Sequence, residues 1–240
     1  MLLRLILVIA VMFLQTAKAN AANLEPFIAE YEATWDAGWF PITISAKRQL
    51  TQEDNGQWKL TFEAYSSVAD LSEMSYFTVA NETLLPSQYR YKTSGFLSKK
   101  LRNLEIDWEK RTAFLPYLKK QADYVVPDGL QDNISYIEQM RLDLMNGKSE
   151  FNYQIAYKDR IKTYQFKVAK SFKKKTNQGE IQVVEVHQMN HKHKKEFTKV
   201  WLSQDHDYLL LKLHMRDRHG DSTEIKLEEA TIGERHLSGF

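Results

Sequence analysis

The sequence predicts an all-β, mainly antiparallel protein: a large curved sheet or open barrel wrapping one principal helix. Three observations carry that expectation. Apolar and polar residues alternate along most of the chain, the period of a half-buried strand. Turn signals recur at short, regular intervals with no helix between most of them, as in an antiparallel meander. One stretch alone leaves period two, and its spacing is that of a helix face.

Taken in order, Phe27, Ala29, Tyr31, Ala33 and Trp35 alternate with Glu30, Glu32, Thr34 and Asp36. Residues 41–50 continue through Ile42, Ile44 and Ala46, Asp54-Asn55-Gly56 is a hairpin turn signal, and Trp58, Leu60, Phe62 and Ala64 resume the alternation. The middle is less regular, with strands predicted at 76–80, 88–92 and 104–108. Leu130, Ile134, Ile137, Met140, Arg141 and Leu144 then fall on one helix face. The helix is placed over residues 131–145, with Asp132 or Asn133 as its cap and Asn146-Gly147 as its end. Strands follow at 151–157, 164–168, 181–189, 197–202, 208–215 and 223–232. Roughly ten or eleven strands result, where about eight already close a barrel that side chains can fill. Such a concavity is filled by the helix or by a bound apolar molecule.

The first residues have the order of a secretory signal: Arg4, the apolar run 5–14, then small residues ending in Ala19-Asn20-Ala21. That run is too short for a hydrocarbon core, which takes about 20 residues. Cleavage is expected after Ala21, with Ala19 as the alternative. This leaves one β-rich domain over 22–240, in the periplasm and without a transmembrane anchor. The chain has no cysteine, which excludes a lipoprotein, disulfides and thiol chemistry. Packing alone must then stabilise the mature chain, whose size suffices to bury about 70% of its unfolded surface. Basic residues number 33 and acidic ones 31. Arg4 and Lys18 leave with the signal, so the mature chain is neutral and lacks the basic excess of a nucleic-acid binder.

Candidate chemistry is sparse. Residues 173–175 and 191–195 form two basic clusters, read as solvated turns about 30 Å apart at opposite ends of a strand. Loops 190–195 and 217–221 share a sheet end and bring His191, His193 and His219 toward Asp217 and Asp221, but the spacing matches no metal signature. No metal or other cofactor is expected. Asp205-His206-Asp207 reads as a polar turn. Gly147-Lys148-Ser149 resembles the tail of a phosphate loop, yet Leu142 stands where the leading glycine belongs. Neither a nucleophile elbow nor a zinc-binding helix motif is present, so an enzyme is not expected. Aromatics on alternating faces, among them Trp35, Trp39, Trp58, Trp108 and Trp201, serve core packing or an apolar ligand groove. The candidate ligand-binding residues are Trp35, Trp58, Phe62, Ile137, Leu144, Tyr153 and Tyr157.

Three stretches together resemble a known family: the strand from Phe27 to Trp35 with Gly38-Trp39-Phe40; VPDGLQDNISYIEQMRLDL at 126–144; and GEIQVVEVHQ at 179–188 leading into KVWLSQDHDYLLLKLHM at 199–215. In that order they are similar to the exported bacterial family called domain of unknown function 3108. The chain has Asp128-Gly129-Leu130-Gln131 where the family pattern would have Asp-Pro-Leu-Ser. The resemblance implies a periplasmic β-rich protein of Gram-negative bacteria and lends no catalytic residues. By fold analogy alone, a curved sheet over a helix is similar to periplasmic lipoprotein carriers, which hold acyl chains against an aromatic concave face. The expected function is non-enzymatic binding of a lipid, acyl chain or lipidated polypeptide in envelope maintenance. The alternatives are a module pairing a strand edge or loop end with another envelope protein, and, weaker, a hydrolase with a dispersed site.

Overall fold

Two antiparallel meanders make up the computed structural model, which describes residues 24–36, 41–66, 69–95, 100–157 and 159–240. The predicted signal and its cleavage sites, and Trp39, lie outside the described residues. The first meander is β1 (Phe27–Asp36), β2 (Pro41–Gln52), β3 (Trp58–Tyr65), β4 (Ala69–Ala80), β5 (Thr83–Gly95), β6 (Lys100–Asp107), β7 (Thr112–Leu115) and β8 (Lys120–Gln121). After helix α1 (Ser135–Met145) comes the second: β9 (Glu150–Tyr157), β10 (Arg160–Thr176), β11 (Gly179–Gln188), β12 (Phe197–Ser203), β13 (Leu209–Arg216), β14 (Ser222–Ile232) and β15 (Arg235–Ser238). β14 pairs along β1 and joins both into one 15-stranded sheet, with β8 and β9 at the two ends of the strand order and β15 beside β14. The sheet is therefore open. Of the fifteen strands, β7, β8 and β15 fall outside the predicted segments, being too short for alternation to register.

In the middle of the chain the strands run longer than predicted. β4 begins at Ala69 and β5 ends at Gly95, and their inward positions include Glu73, Ser75 and Thr93. Polar residues at core-facing positions erase the alternation by which a strand is recognised. Residues 173–175 are not a turn: they lie within β10, opposite Ile181 and its neighbours in β11, and the turn follows Thr176.

Helix α1 starts four residues later than predicted. Gln131 forms a parallel bridge with Ile155, its N–H donating to Gln154 O at 2.8 Å while its carbonyl accepts from Ala156 N–H at 2.8 Å. Asp132 then closes a reciprocal cap. Its Oδ1 accepts from Ser135 N–H at 2.9 Å, and its own N–H donates to Ser135 Oγ at 2.9 Å, a capping box with serine in the glutamate's place. At the other end Gly147 takes φ 77°, and Lys148 N–H returns to Asp143 O at 2.9 Å, the left-handed stop that glycine favours.

The single apolar face read from sequence is only part of what the helix buries, because residues 135–144 are buried all round. On the apolar side Tyr136 stacks on Phe166 with centroids 5.9 Å apart and meets Tyr164 edge-on. Each polar side chain must then find a partner, since an unpaired desolvated group costs on the order of 1–3 kcal/mol. Glu138 accepts from Arg48 at 2.8 Å and from Arg141 at 2.6 Å. Arg141 Nε donates to Asp207 O at 3.0 Å, and its guanidinium lies 4.9 Å from the Phe27 ring centre. Asp143 accepts from Tyr153 Oη at 2.8 Å and from Lys148 at 2.7 Å. Gln139 Oε1 accepts from Leu84 N–H at 2.7 Å, while Gln131 Nε2 donates to Leu84 O at 2.9 Å. Leu84 lies where β5 extends past its pairing with β6, which covers only Gln88 to Thr93. Two glutamines thus stand in for an absent strand. Among the described residues no helix is long and apolar enough to cross a membrane.

Candidate ligand-binding site

The concave side of the sheet is not filled. An inner hollow of about 270 Å³ lies against the first turn of α1, walled by Ile134, Tyr136 and Ile137, by Tyr31 and Phe62, and by Leu213, Met215 and Ile225. An outer hollow of about 280 Å³ lies at the mouth, where β1 and β3 end and β2, β6 and β14 begin. It is lined by Trp35, Ile42, Ile44, Phe62, Ala64, Leu71, Tyr91 and Ile225. Phe62 and Ile225 wall both, so the two hollows adjoin. The outer one is nearly all hydrocarbon and aromatic ring, with Thr34, Ser66, Thr223 and Lys100 at its rim.

The inner hollow has a polar corner. Arg48, on β2 with 4% of its surface exposed, holds Glu138 and also donates to Ile134 O at 3.3 Å. Its Nε–H has no acceptor among the described residues. Glu73, on β4, accepts a short hydrogen bond from Tyr89 Oη, which in turn accepts from Asn133 Nδ2 at 3.0 Å. Burial pushes the Glu73 carboxyl up to about 7, with nearby Asp132 adding to the rise and the Tyr89 bond and Arg48 opposing it. Burial also raises the Asp132 carboxyl, although Ser75 Oγ donates to it at 2.5 Å. Burial and the Glu73 charge raise the Tyr89 hydroxyl well above its usual range. This corner can therefore hold a proton near neutrality and offers a free donor beside it.

Three of the predicted residues meet here: Trp35 in the outer hollow, Ile137 in the inner one, and Phe62 in both. The other four line neither. Trp58 and Leu144 are buried in the packed core, Tyr153 is tied to Asp143 and stacked on Phe151 at 5.9 Å, and the Tyr157 ring lies 3.6 Å from Lys162 Nζ. Sequence reasoning missed Arg48 and Glu73. For Arg48 the signal was available, a charge in the apolar phase of a predicted strand, Ala46-x-Arg48-x-Leu50; for Glu73 it was not, because Ser75 beside it on the same face is polar too and no strand was predicted there.

The other candidates have local explanations. Asp217 Oδ1 accepts from the N–H groups of His219, Gly220 and Asp221 and so closes its own turn. Glu196 does the same for Lys192 and His193. Among the described residues no three His, Cys, Asp or Glu side chains converge as metal ligands would. Residues 204–206 form a 3₁₀ turn followed by Asp207 and Tyr208 in the left-handed region. There Ser203 Oγ meets His206 Nδ1 at 2.6 Å, but Ser203 is fully buried and neither residue lines a hollow.

Comparison with known proteins agrees with this architecture. The profile of the family described as "Protein of unknown function (DUF3108)" matches residues 30–228. No curated protein matches the chain. A β-barrel-like protein of the DUF1849 family from Brucella abortus superposes with a TM-score of 0.62 at 14% identity, over 88% of this chain and 99% of that one. A DUF1329 family protein from Desulfovibrio piger covers 87% of this chain and 86% of its own at 10% identity, with a TM-score of 0.34. Only the first is a likeness of fold. On the extent of the profile match, the chain belongs to the DUF3108 family.

Proposed function

We propose that this member of the DUF3108 family is a non-enzymatic periplasmic binding protein. It takes a lipid, an acyl chain or the lipid of a lipidated polypeptide into the mouth of its open sheet, in maintenance of the cell envelope. One observation carries the reading: the outer hollow is an open space whose walls are Trp35, Ile42, Ile44, Phe62, Leu71 and Tyr91. Apolar surface left accessible in a concavity is stabilised by an apolar guest, at about 25 cal/mol for each Å² removed from water. The location follows from the signal-like residues 1–21, and the binding unit is the single domain 22–240. The competing use of a strand edge meets an obstacle. Where β10 runs past β9 it carries Lys170, Lys173, Lys174 and Lys175, and lysine along an edge discourages strand addition.

The test is a saturable titration of the mature protein with a fluorescent fatty acid, followed through tryptophan fluorescence. Ile44→Asp, at a partly exposed wall of the mouth, should weaken uptake while leaving the circular dichroism spectrum intact. Ile137→Trp should fill the inner hollow and reduce uptake without adding charge. Absence of saturable uptake by the wild type would overturn the proposal and return the strand-edge reading to first place.

A further inference from the structure

Resting on that binding reading, we infer that the inner hollow is a head-group subsite for a carboxylic acid, so that a single-chain fatty acid enters with its carboxyl against Arg48, Glu73 and Asn133 and its chain leading back to the mouth. The geometry sets the chemistry. Two guanidiniums, Arg48 and Arg141, share one carboxylate, Glu138, all three with 4% or less of their surface exposed. Buried donors generally have an acceptor, yet the Arg48 Nε–H and the Arg141 Nη2 of the same cluster both lack one among the described residues. A guest that supplies an anionic oxygen satisfies both deficits at once. A hydroxyl satisfies only the second, and an ammonium satisfies neither.

Glu73 completes the subsite. It faces Tyr89 from β5, Asp132 from the segment before α1, Arg48 from β2 and Arg102 from β6. A carboxyl held at about 7 retains its proton below neutrality and donates it as a hydrogen bond to the second oxygen of the guest. Above that pH its charge repels the guest. Binding is therefore coupled to proton retention: affinity for an acid is level from the ordinary carboxylate range, where the guest itself titrates, up to about 7 and declines as pH rises beyond it, by up to roughly tenfold per unit.

The experiment compares dodecanoic acid, dodecanol, methyl dodecanoate and dodecylamine on the mature wild-type protein by isothermal titration calorimetry, just below neutrality and again in alkaline buffer. The acid should bind tighter than the alcohol and ester by roughly tenfold or more, the amount of one charge-assisted hydrogen bond. Arg48→Lys keeps a cation beside Glu138 but lacks the Nε–H, and should erase the preference for acid over alcohol. Glu73→Gln should flatten the pH profile of acid binding. If Arg48→Lys fails to fold, as judged by circular dichroism, the Glu73→Gln profile decides alone. Equal affinity for all four heads, or preference for the amine, overturns the subsite while the apolar-chain reading stands. If none of the four binds, the apolar-chain reading falls as well.

Discussion

Glu73 gives the sharpest quantitative test of this interior. Its carboxyl has an ordinary value of 4.5 and stands at about 7 in the fold. Below 4.5 the group is protonated folded and unfolded alike and contributes nothing. Between the two values the folded protein keeps a proton that the unfolded chain has released, so stability falls as pH rises. Above about 7 the loss is complete and constant. At about 1.4 kcal/mol per unit, the full displacement corresponds to about 3 kcal/mol. Water reaching Glu73 through the hollow reduces that to roughly 1–2 kcal/mol. Glu73→Gln is neutral at every pH and still accepts the Tyr89 hydroxyl. The variant and wild type should therefore agree in acid and diverge across this window, with the variant the more stable in alkali. For a chain of this size the gap is about 2–8 °C in melting temperature. Thermal melts by circular dichroism at stepped pH measure it. A difference independent of pH, or a variant less stable in alkaline buffer, would refute the placement of Glu73 in a desolvated corner.

Four further outcomes are expected. Gln139→Leu strands Leu84 N–H and Glu82 O, to which Gln139 now bonds at 2.7 and 3.0 Å, and should cost about 1–3 kcal/mol in urea unfolding. Glu138→Gln leaves two buried guanidiniums without a counter-charge and should cost about 3–5 kcal/mol; a loss under 1 kcal/mol would mean that water reaches the cluster. N-terminal sequencing of the exported form should begin at Ala22, or second best at Asn20, and an intact Met1 form in the inner membrane would overturn export. Zinc or copper should not raise the melting temperature; a rise abolished by alanine at any two of His191, His193 and His219 would show that the loop end binds metal.

Strands were legible where inward positions are apolar throughout, as from Phe27 to Trp35 and from Phe151 to Tyr157. From residue 69 to 95 only 76–80 and 88–92 were legible, because Glu73, Ser75 and Thr93 face inward. The helix boundary shifted because Gln131 hydrogen-bonds like a strand residue, a long-range pairing with Ile155 that local spacing does not encode. The same distinction divides the candidate site. Alternation tells that Trp58 and Phe62 share a face of β3, but not how far along the barrel each one lies. Trp58, beside the turn at 53–57, is sealed in the core, whereas Phe62 stands between the hollows. Depth is set by register across many strands, and one strand's sequence does not contain it.

The hollow itself follows from two lengths. An α-helix of 11 residues is about 16 Å long. A strand such as β1, of 10 residues, extends about 33 Å, twice that length. The helix is too short to lie along the whole concave face, and none of its residues lines the outer hollow. The side chains beyond it do not make up the shortfall either, since Ala33 and Ala64 are two of the walls there. The helix N-terminus borders the inner hollow, and there the Asp132–Ser135 cap and the Gln131 bridge stop the helix. The chain thus commits buried polar contacts to holding the helix short, and what that shortness preserves is an apolar space with a charged floor.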